Sequence, residues 1–387
     1  MVNASTKNKE KKGAAKDGAS PDDGPSTSGL PPHLELQRTR IVCGPNMNSY
    51  TNSSMTDVEF MASDVPNIFD MARFKKGFSI DITRYEGNDM TFHMKGISCA
   101  VANSLRRIML AETPTVAIEH VFILNNTSLI SDEMLSHRLG LLPLNLHPRY
   151  LKYRLDGEPA TELNTVILKM KLSCHYQPDG TLKNEKVYAE ALKWLPHGSE
   201  IPDETGCKFV RPQVKFMPGV DPVNADILLA KLRLGQQIEL EAHCVKGVGE
   251  EHAKWSPVAT AWYRFMPEVV LLQPVKDELA KELAGELPGL ITVDSDGSAV
   301  VNDPLEHDVL LEKVRAMSGE PKWQDVLQLR KVKDHFIFTI ESTGAWRPHE
   351  IFEYAVKLMM AKCDKVLEGL QKYPPPSDLG AEEWMED

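Results

Sequence analysis

The chain has 387 residues, a formal net charge of −11, 42% hydrophobic residues and 7% aromatic residues. That length holds two or three domains with a sizeable core. An acidic chain poor in aromatics lacks the basic face that duplex DNA requires and the rings that a base-stacking platform requires, which argues against unaided nucleic-acid binding. Cys43, Cys99, Cys174, Cys207, Cys244 and Cys363 are scattered and none forms C-x-x-C. That is the usage of reduced, mostly buried thiols in an intracellular protein. No window reaches the apolar length of a membrane span, and the N-terminus has no apolar run of signal-peptide kind. The sequon Asn125-Asn126-Thr127 is accordingly expected to stay unmodified.

Residues 1–55 read as an unstructured tail, because Lys, Ser, Gly, Pro and Asp dominate and too little apolar surface is available to offset ordering entropy. Lys7, Lys9, Lys11, Lys12 and Lys16 fit either a nuclear-import signal or a solvated charge run. Leu34–Val42 has enough apolar character to dock as a short strand. The fold is expected to begin near Phe74, with a hairpin through Gly87-Asn88.

Ser98–Glu112 predicts a helix. Val101, Leu105, Ile108 and Met109 recur at i, i+4, i+7 and i+8 as one apolar stripe, Ser98 is an N-cap residue, and Thr113-Pro114 stops the helix. Arg106 and Arg107 cannot both lie on the stripe. A core helix with two solvated arginines and a helix with an interaction face both fit that pattern. A strand over Ala117–Leu124, a helix over Asp132–Leu139 and alternating strands at Thr165–Leu172 and Ile238–Cys244 follow. Asp203–Asp221 reads as loop and Asp226–Leu232 as a short helix. Helices over Asp277–Ala284 and Asp308–Met317 flank a hairpin through Ser295-Asp296-Gly297. Phe336–Ile340 alternates as a strand, and Pro348 opens the longest helix. On it Phe352, Val356, Met359, Cys363, Val366 and Leu370 fall at heptad-like spacing, which fits a seam for another helix or an ordinary core face.

No constellation of residues points to catalysis. There is no phosphate loop, no nucleophile elbow and no acidic metal triad of polymerase type. Asp294-Ser295-Asp296-Gly297 lacks the later ligands of a calcium loop and reads as a turn. Cys174-His175 and His243-Cys244 lie in or beside strands, where neighbours point to opposite faces, so neither pair chelates one ion. His252, beside Lys254 and Trp255, reads as a packing or interface residue rather than a general base.

Four stretches, in this order, resemble the RNA polymerase α-subunit family: ANSLRRIMLAETPTVAIEHV from Ala102, SDEMLSHRLGLLPL from Ser131, GVGEEHAKWSPVATAWYRF from Gly247 and HFIFTIESTGAWRPHEIFEYAVKLM from His335. Within the family the chain is most similar to the α-like branch common to eukaryotic polymerases I and III, because the zinc loop of the polymerase II relative is missing. The resemblance implies an α+β fold: a discontinuous dimerisation domain of residues 74–112 and 259–372, with a β-rich domain of 113–258 inserted. Residues 274–333 would be a cofactor-less remnant of a cluster-binding insert, and 373–387 an acidic tail. It further implies pairing with a smaller α-like subunit through Val101, Leu105, Ile108 and Met109 on the first helix and Phe352, Val356, Met359, Cys363 and Val366 on the last. Arg106 and Arg107 would dock the second-largest catalytic subunits of polymerases I and III. The expectation is a non-catalytic, cofactor-free nuclear subunit, in nucleolus and nucleoplasm, serving rRNA, 5S rRNA and tRNA transcription. The alternative is a polymerase II α-like subunit that lacks its zinc loop.

Overall fold

The structure, a computed structural model, describes residues 30–52, 69–155 and 157–372. In chain order it begins with helix α1 (Pro32–Thr39), strands β1 (Arg40–Cys43) and β2 (Asn48–Ser49), and helix α2 (Met71–Gly77). The hairpin β3 (Ser79–Glu86) and β4 (Asp89–Lys95) leads to helix α3 (Cys99–Ala111), strand β5 (Pro114–Asn126) and helix α4 (Asp132–Gly140). The middle adds β6 (Thr165–Ser173), β7 (His175–Tyr176), β8 (Leu182–Lys183), β9 (Lys186–Tyr188), β10 (Lys193–Trp194), the single turn α5 (Pro202–Thr205), β11 (Leu228–Lys231) and β12 (Gln237–Val248). Last come β13 (Val258–Leu271), α6 (Asp277–Glu286), β14 (Ile291–Val293), β15 (Ala299–Val301), α7 (Asp308–Met317), β16 (Leu327–Ser342) and α8 (Pro348–Lys372).

The chain forms two compact units, Met1–Gly77 with Phe265–His335 and Phe78–Arg264 with Phe336–Asp387. These boundaries differ from the expected ones, which group 74–112 with 259–372 around an insert. In the first unit α6, α7 and the β14–β15 hairpin close on a dry core of Ala280, Leu283, Leu287, Val314, Trp323 and Leu327. The expected tail of 1–55 needs correction here. Residues 30–52 are structured: Cys43 sits in that core, and Ile41 and Cys43 of β1 stand opposite Lys331 and Leu329 of β16. Arg315 Nε donates to the Gly44 carbonyl at 2.8 Å, and Arg40 pairs with Glu268 at 2.7 Å. The strand expected within Leu34–Val42 is present as β1, preceded by helix α1, and Leu34, Ile41 and Cys43 are buried. The lysine cluster, residues 53–55 and 373–387 lie outside the described residues.

The second unit contains strands of two sheets. In one, β10-β6-β12-β5 lie in that order and bury Val116, Ile118, Val166, Leu168, Leu240 and Cys244 against α4 and the middle loops. In the other, β3 forms the edge, β4 pairs with it and with β16, and β13 also pairs with β16. One reading needs correction and one strand was not anticipated. Asp226–Leu232 is not a helix: Leu228–Lys231 is β11, because pairing with β9 overrides the helix propensity of Leu and Ala. The long strand β13 leaves a weak pattern, since Pro267 interrupts it; the strand tolerates Pro because, among the described strands, only β16 pairs with it.

Candidate subunit interface

Helix α3 starts at Ser98, whose hydroxyl accepts from the Val101 N–H at 3.5 Å, and ends at Ala111 before the buried Thr113. Its end is tied from outside by the Glu250 N–H, which donates to the Ala111 carbonyl at 2.8 Å. Gly249 makes this approach feasible, since a Cβ there would lie 2.2 Å from the Leu110 carbonyl oxygen. Gly247 does the same for Trp255, where a Cβ would lie 2.5 Å from the indole. The buried Trp255 donates Nε1–H to the Val245 carbonyl at 3.2 Å and accepts at its own carbonyl from Thr115 Oγ1 at 2.7 Å. The Gly247–Trp255 stretch therefore locks β12 to the end of α3. His252 accepts at Nδ1 from the Lys254 N–H, a capping role.

Helix α8 is set by the turn before it. Ser342 Oγ donates to the Trp346 carbonyl at 2.5 Å and accepts from the Gly344 N–H at 3.0 Å. Gly344 has φ +102° and its α-carbon faces Val223, so only glycine fits. Trp346 is buried against His147 and Tyr354 and donates Nε1–H to the Pro114 carbonyl at 2.9 Å. Burial beside Arg149 pushes the His147 imidazole pKa below its ordinary value. Glu350, at N3, accepts from the Arg347 N–H at 3.1 Å, half of a capping box.

The two helices pack on each other, α8 also packs on β4, and Lys362 pairs with Glu112. Of the α3 stripe, Leu105, Ile108 and Met109 are buried inside the chain together with Ala102, and Val101 is exposed. The stripe thus belongs to the chain's own core. On α8, Ile351 and Ala355 are buried, Phe352, Val356 and Met359 are half-buried, and Phe352 meets Phe92 edge-on at 5.0 Å between ring centroids. Beyond Met359 the stripe lies bare. Met360, Val366, Leu367 and Leu370 are 61%, 62%, 57% and 63% exposed, and Cys363 is exposed among them. At 100° per residue these five fall within about 120° of one another, one face of a helix segment roughly 15 Å long.

Strand β3 extends that apolar surface. Ile80 lies opposite Met94 and Ile82 opposite Phe92. Directly opposite residues share a face, so both isoleucines lie on the side where Phe92 meets Phe352. They are nonetheless 41% and 59% exposed. The sequence reading missed Ile80, Ile82, Met360 and Leu367 as interface candidates. Alternation in β3 signals one apolar face without saying that it stays uncovered; the adjacent pairs Met359-Met360 and Val366-Leu367 were the available signal for a stripe wider than a simple heptad. The arginines separate clearly. Arg106 is half-buried and donates from Nε and Nη2 to Asn103 Oδ1 at 3.1 and 2.9 Å, whereas Arg107 is exposed with no partner among the described residues.

Among the described residues no three His, Cys, Asp or Glu side chains gather as a metal site would require. Cys174 is buried while His175 is exposed. Cys244 lies in the core, where burial pushes its thiol pKa well up. His243 is buried on β12 beside the Phe122 ring, its Nε2 is 3.9 Å from Glu241, and burial lowers its pKa to about 4. Glu241 is held by Ser199 Oγ–H at 2.7 Å and the Glu200 N–H at 3.0 Å.

Residues 91–363 match the family model of the RNA polymerase Rpb3/Rpb11 dimerisation domain. The chain is 39% identical to the Bos taurus DNA-directed RNA polymerases I and III subunit RPAC1, over 87% of this chain and 96% of that protein. It is 37% identical to the Saccharomyces cerevisiae protein of the same name, over 84% of this chain and 96% of that protein. Identity to the Dictyostelium discoideum RNA polymerase II subunit rpb3 is 31%, over 73% and 91%. The family match covers α3 and α8 as far as residue 363, so the chain belongs to the α-like family of RNA polymerase subunits that carry the Rpb3/Rpb11 dimerisation domain.

Proposed function

We propose that this chain is a non-catalytic subunit of nuclear RNA polymerases I and III that pairs with a smaller α-like subunit and then captures the second-largest subunit, in the service of rRNA, 5S rRNA and tRNA synthesis. The observation that carries the reading is the bare second half of α8, a face of four large apolar side chains within a chain whose residues 91–363 match a dimerisation domain. Such a face in water marks an interface. The pairing surface runs along Phe352, Val356, Met359, Cys363 and Val366, widened by Met360, Leu367 and Leu370, with Ile80, Ile82 and Val101 beside it. Leu105, Ile108 and Met109 support it from beneath rather than touching the partner. In this reading residues 74–112 and 259–372 act together as the dimerisation domain and 113–258 as its insert. Arg107, exposed and uncommitted, is the docking arginine for the large subunit, and Arg106 shapes the helix surface through Asn103. No metal or cofactor takes part.

The test is affinity purification of the tagged chain from its own cells, followed by identification of the catalytic subunits. Recovery of the largest and second-largest subunits of polymerases I and III, with a smaller α-like chain, supports the reading. Recovery of polymerase II catalytic subunits instead would assign the chain to that enzyme, and recovery of no polymerase subunit would overturn the proposal.

A further inference from the structure

This acidic chain gathers uncompensated positive charge at one end of its middle region. In the antiparallel ladder of β9 and β11, Lys186 stands directly opposite Lys231. Val187 and Ala230 next to them are buried in the core, so the two lysines share the outer face. Directly opposite side chains have their Cβ atoms about 5 Å apart, and like charges there destabilise a ladder. The two segments stay together past the ladder: the Leu232 N–H donates to the Glu185 carbonyl at 2.7 Å. Lys183, at the end of β8, precedes Lys186 across a short turn in which Asn184 has φ +61°, and Arg233 follows Lys231, so two further cations flank the opposed pair. All four are exposed, and among the described residues none has an ion-pair partner. Glu185 is the carboxylate that lies between Lys183 and Lys186 in the chain.

We propose that this ladder binds an extended acidic segment of a partner protein, with its carboxylates seated among these cations. An extended chain places alternate side chains about 6.6 Å apart. Lys231 and Arg233, two residues apart, are separated by roughly 7 Å at the same rise per residue, which matches two such carboxylates. The lysines act as point charges and do not demand the planar fork geometry that arginine reads. Nucleic acid fits less well. Phosphate neutralisation dominates affinity for nucleic acid, and four cations neutralise only a short stretch of backbone. Tyr176, exposed on β7 in register with Leu182, gives a single strand one ring to stack on, so that class is a real arm of the test.

The experiment is fluorescence anisotropy on the full chain with two probes of equal length, a labelled peptide of alternating Glu and Thr and a labelled oligothymidylate. The peptide should bind at low salt, and more tightly than the oligothymidylate. The double variant Lys186→Glu and Lys231→Glu should weaken peptide binding about tenfold or more. Reversing Lys75 and Lys76 on α2 makes the same change in net charge and serves as the control for it; an equal loss of peptide binding would overturn the proposal. The uncharged pair Lys186→Thr and Lys231→Thr gives the same readout if the reversal fails to fold, and it should melt no lower than the parent because the repulsion is gone. Absence of peptide binding, binding indifferent to both double variants, or tighter binding of the oligothymidylate lost with the same variants would each overturn the proposal.

Discussion

Helices α3 and α8 carry apolar stripes of similar pattern and meet different fates. The stripe of α3 is spent within the chain: Leu105, Ile108 and Met109 are buried. The stripe of α8 begins against the same body and then runs past it, so that Met360, Val366, Leu367 and Leu370 face water. Periodicity reports that a helix has an apolar face. Whether the chain itself covers that face depends on which strands lie beneath, and that is a tertiary fact. The difference separates a folding surface from a proposed pairing surface, and substitutions on the two helices should expose it.

The largest effect belongs to α3. Leu105→Asp puts an unpaired carboxylate where the parent has a fully packed side chain, which should destabilise the chain by about 4 kcal/mol or more. Thermal melting and soluble yield should collapse whether or not the partner is present. If the variant folds normally and fails only to pair, the division between the helices is wrong.

Next in size is the response to acid. Burial holds the folded-state pKa of His243 at about 4, below its ordinary 6.5. The unfolded chain therefore takes up a proton that the folded chain refuses. The stability contribution is intact above pH 6.5 and is lost as pH falls toward about 4, at up to roughly 1.4 kcal/mol per pH unit. Denaturant melts from neutral pH downward should show this slope, and His243→Phe should flatten it. An unchanged slope would remove His243 from the account.

On α8, Leu367→Asp should leave the melting of the isolated chain nearly unchanged, because an exposed site has no packing to lose. It should weaken the heterodimer by about 2–3 kcal/mol, roughly 30- to 150-fold in affinity. A co-expression pull-down with the smaller subunit reads both outcomes. Gly249→Ala lies between the two classes. A Cβ 2.2 Å from the Leu110 carbonyl oxygen must move β12 away from the end of α3, which should lower stability by about 1–3 kcal/mol. The smallest effect on folding is expected from Arg107→Ala, within about 0.5 kcal/mol, while capture of the second-largest subunit weakens. Arg106→Ala should affect that capture less, since its guanidinium is engaged by Asn103. If Arg106→Ala proved the more damaging to capture, the two roles would be exchanged.

Much of this molecule was legible in its sequence where local chemistry and tertiary environment agree. Ser98 and Thr113-Pro114 bracket α3, Gly87 and Gly297 adopt positive φ in the turns where they were expected, and Pro348 opens α8. Legibility failed where neighbours decide. Leu228–Lys231 took its conformation from β9, and the docking expected of Leu34–Val42 extends beyond it, to the buried Leu30 and Cys43. At the candidate interface the sequence revealed both stripes. It did not reveal that one would be consumed internally, nor that Ile80 and Ile82 on an edge strand would stay uncovered. The arginine pair shows the same limit: a 100° step says that the two diverge, and only Asn103 decides which one is held back.

Cys363 offers the most direct test of the central claim, that the bare half of α8 is where the smaller α-like subunit binds. It is exposed on that face, whereas Cys43, Cys174, Cys207 and Cys244 are buried and Cys99 is half-buried. The measurement is the alkylation rate of each cysteine by a small thiol reagent, followed by peptide mass spectrometry, for the chain alone and for the chain with its partner. The account predicts that Cys363 reacts first in the chain alone and slows by about tenfold or more in the heterodimer, in keeping with water-excluding contact at an interface core. Equal rates for Cys363 in the two states, with the heterodimer formed, would contradict it.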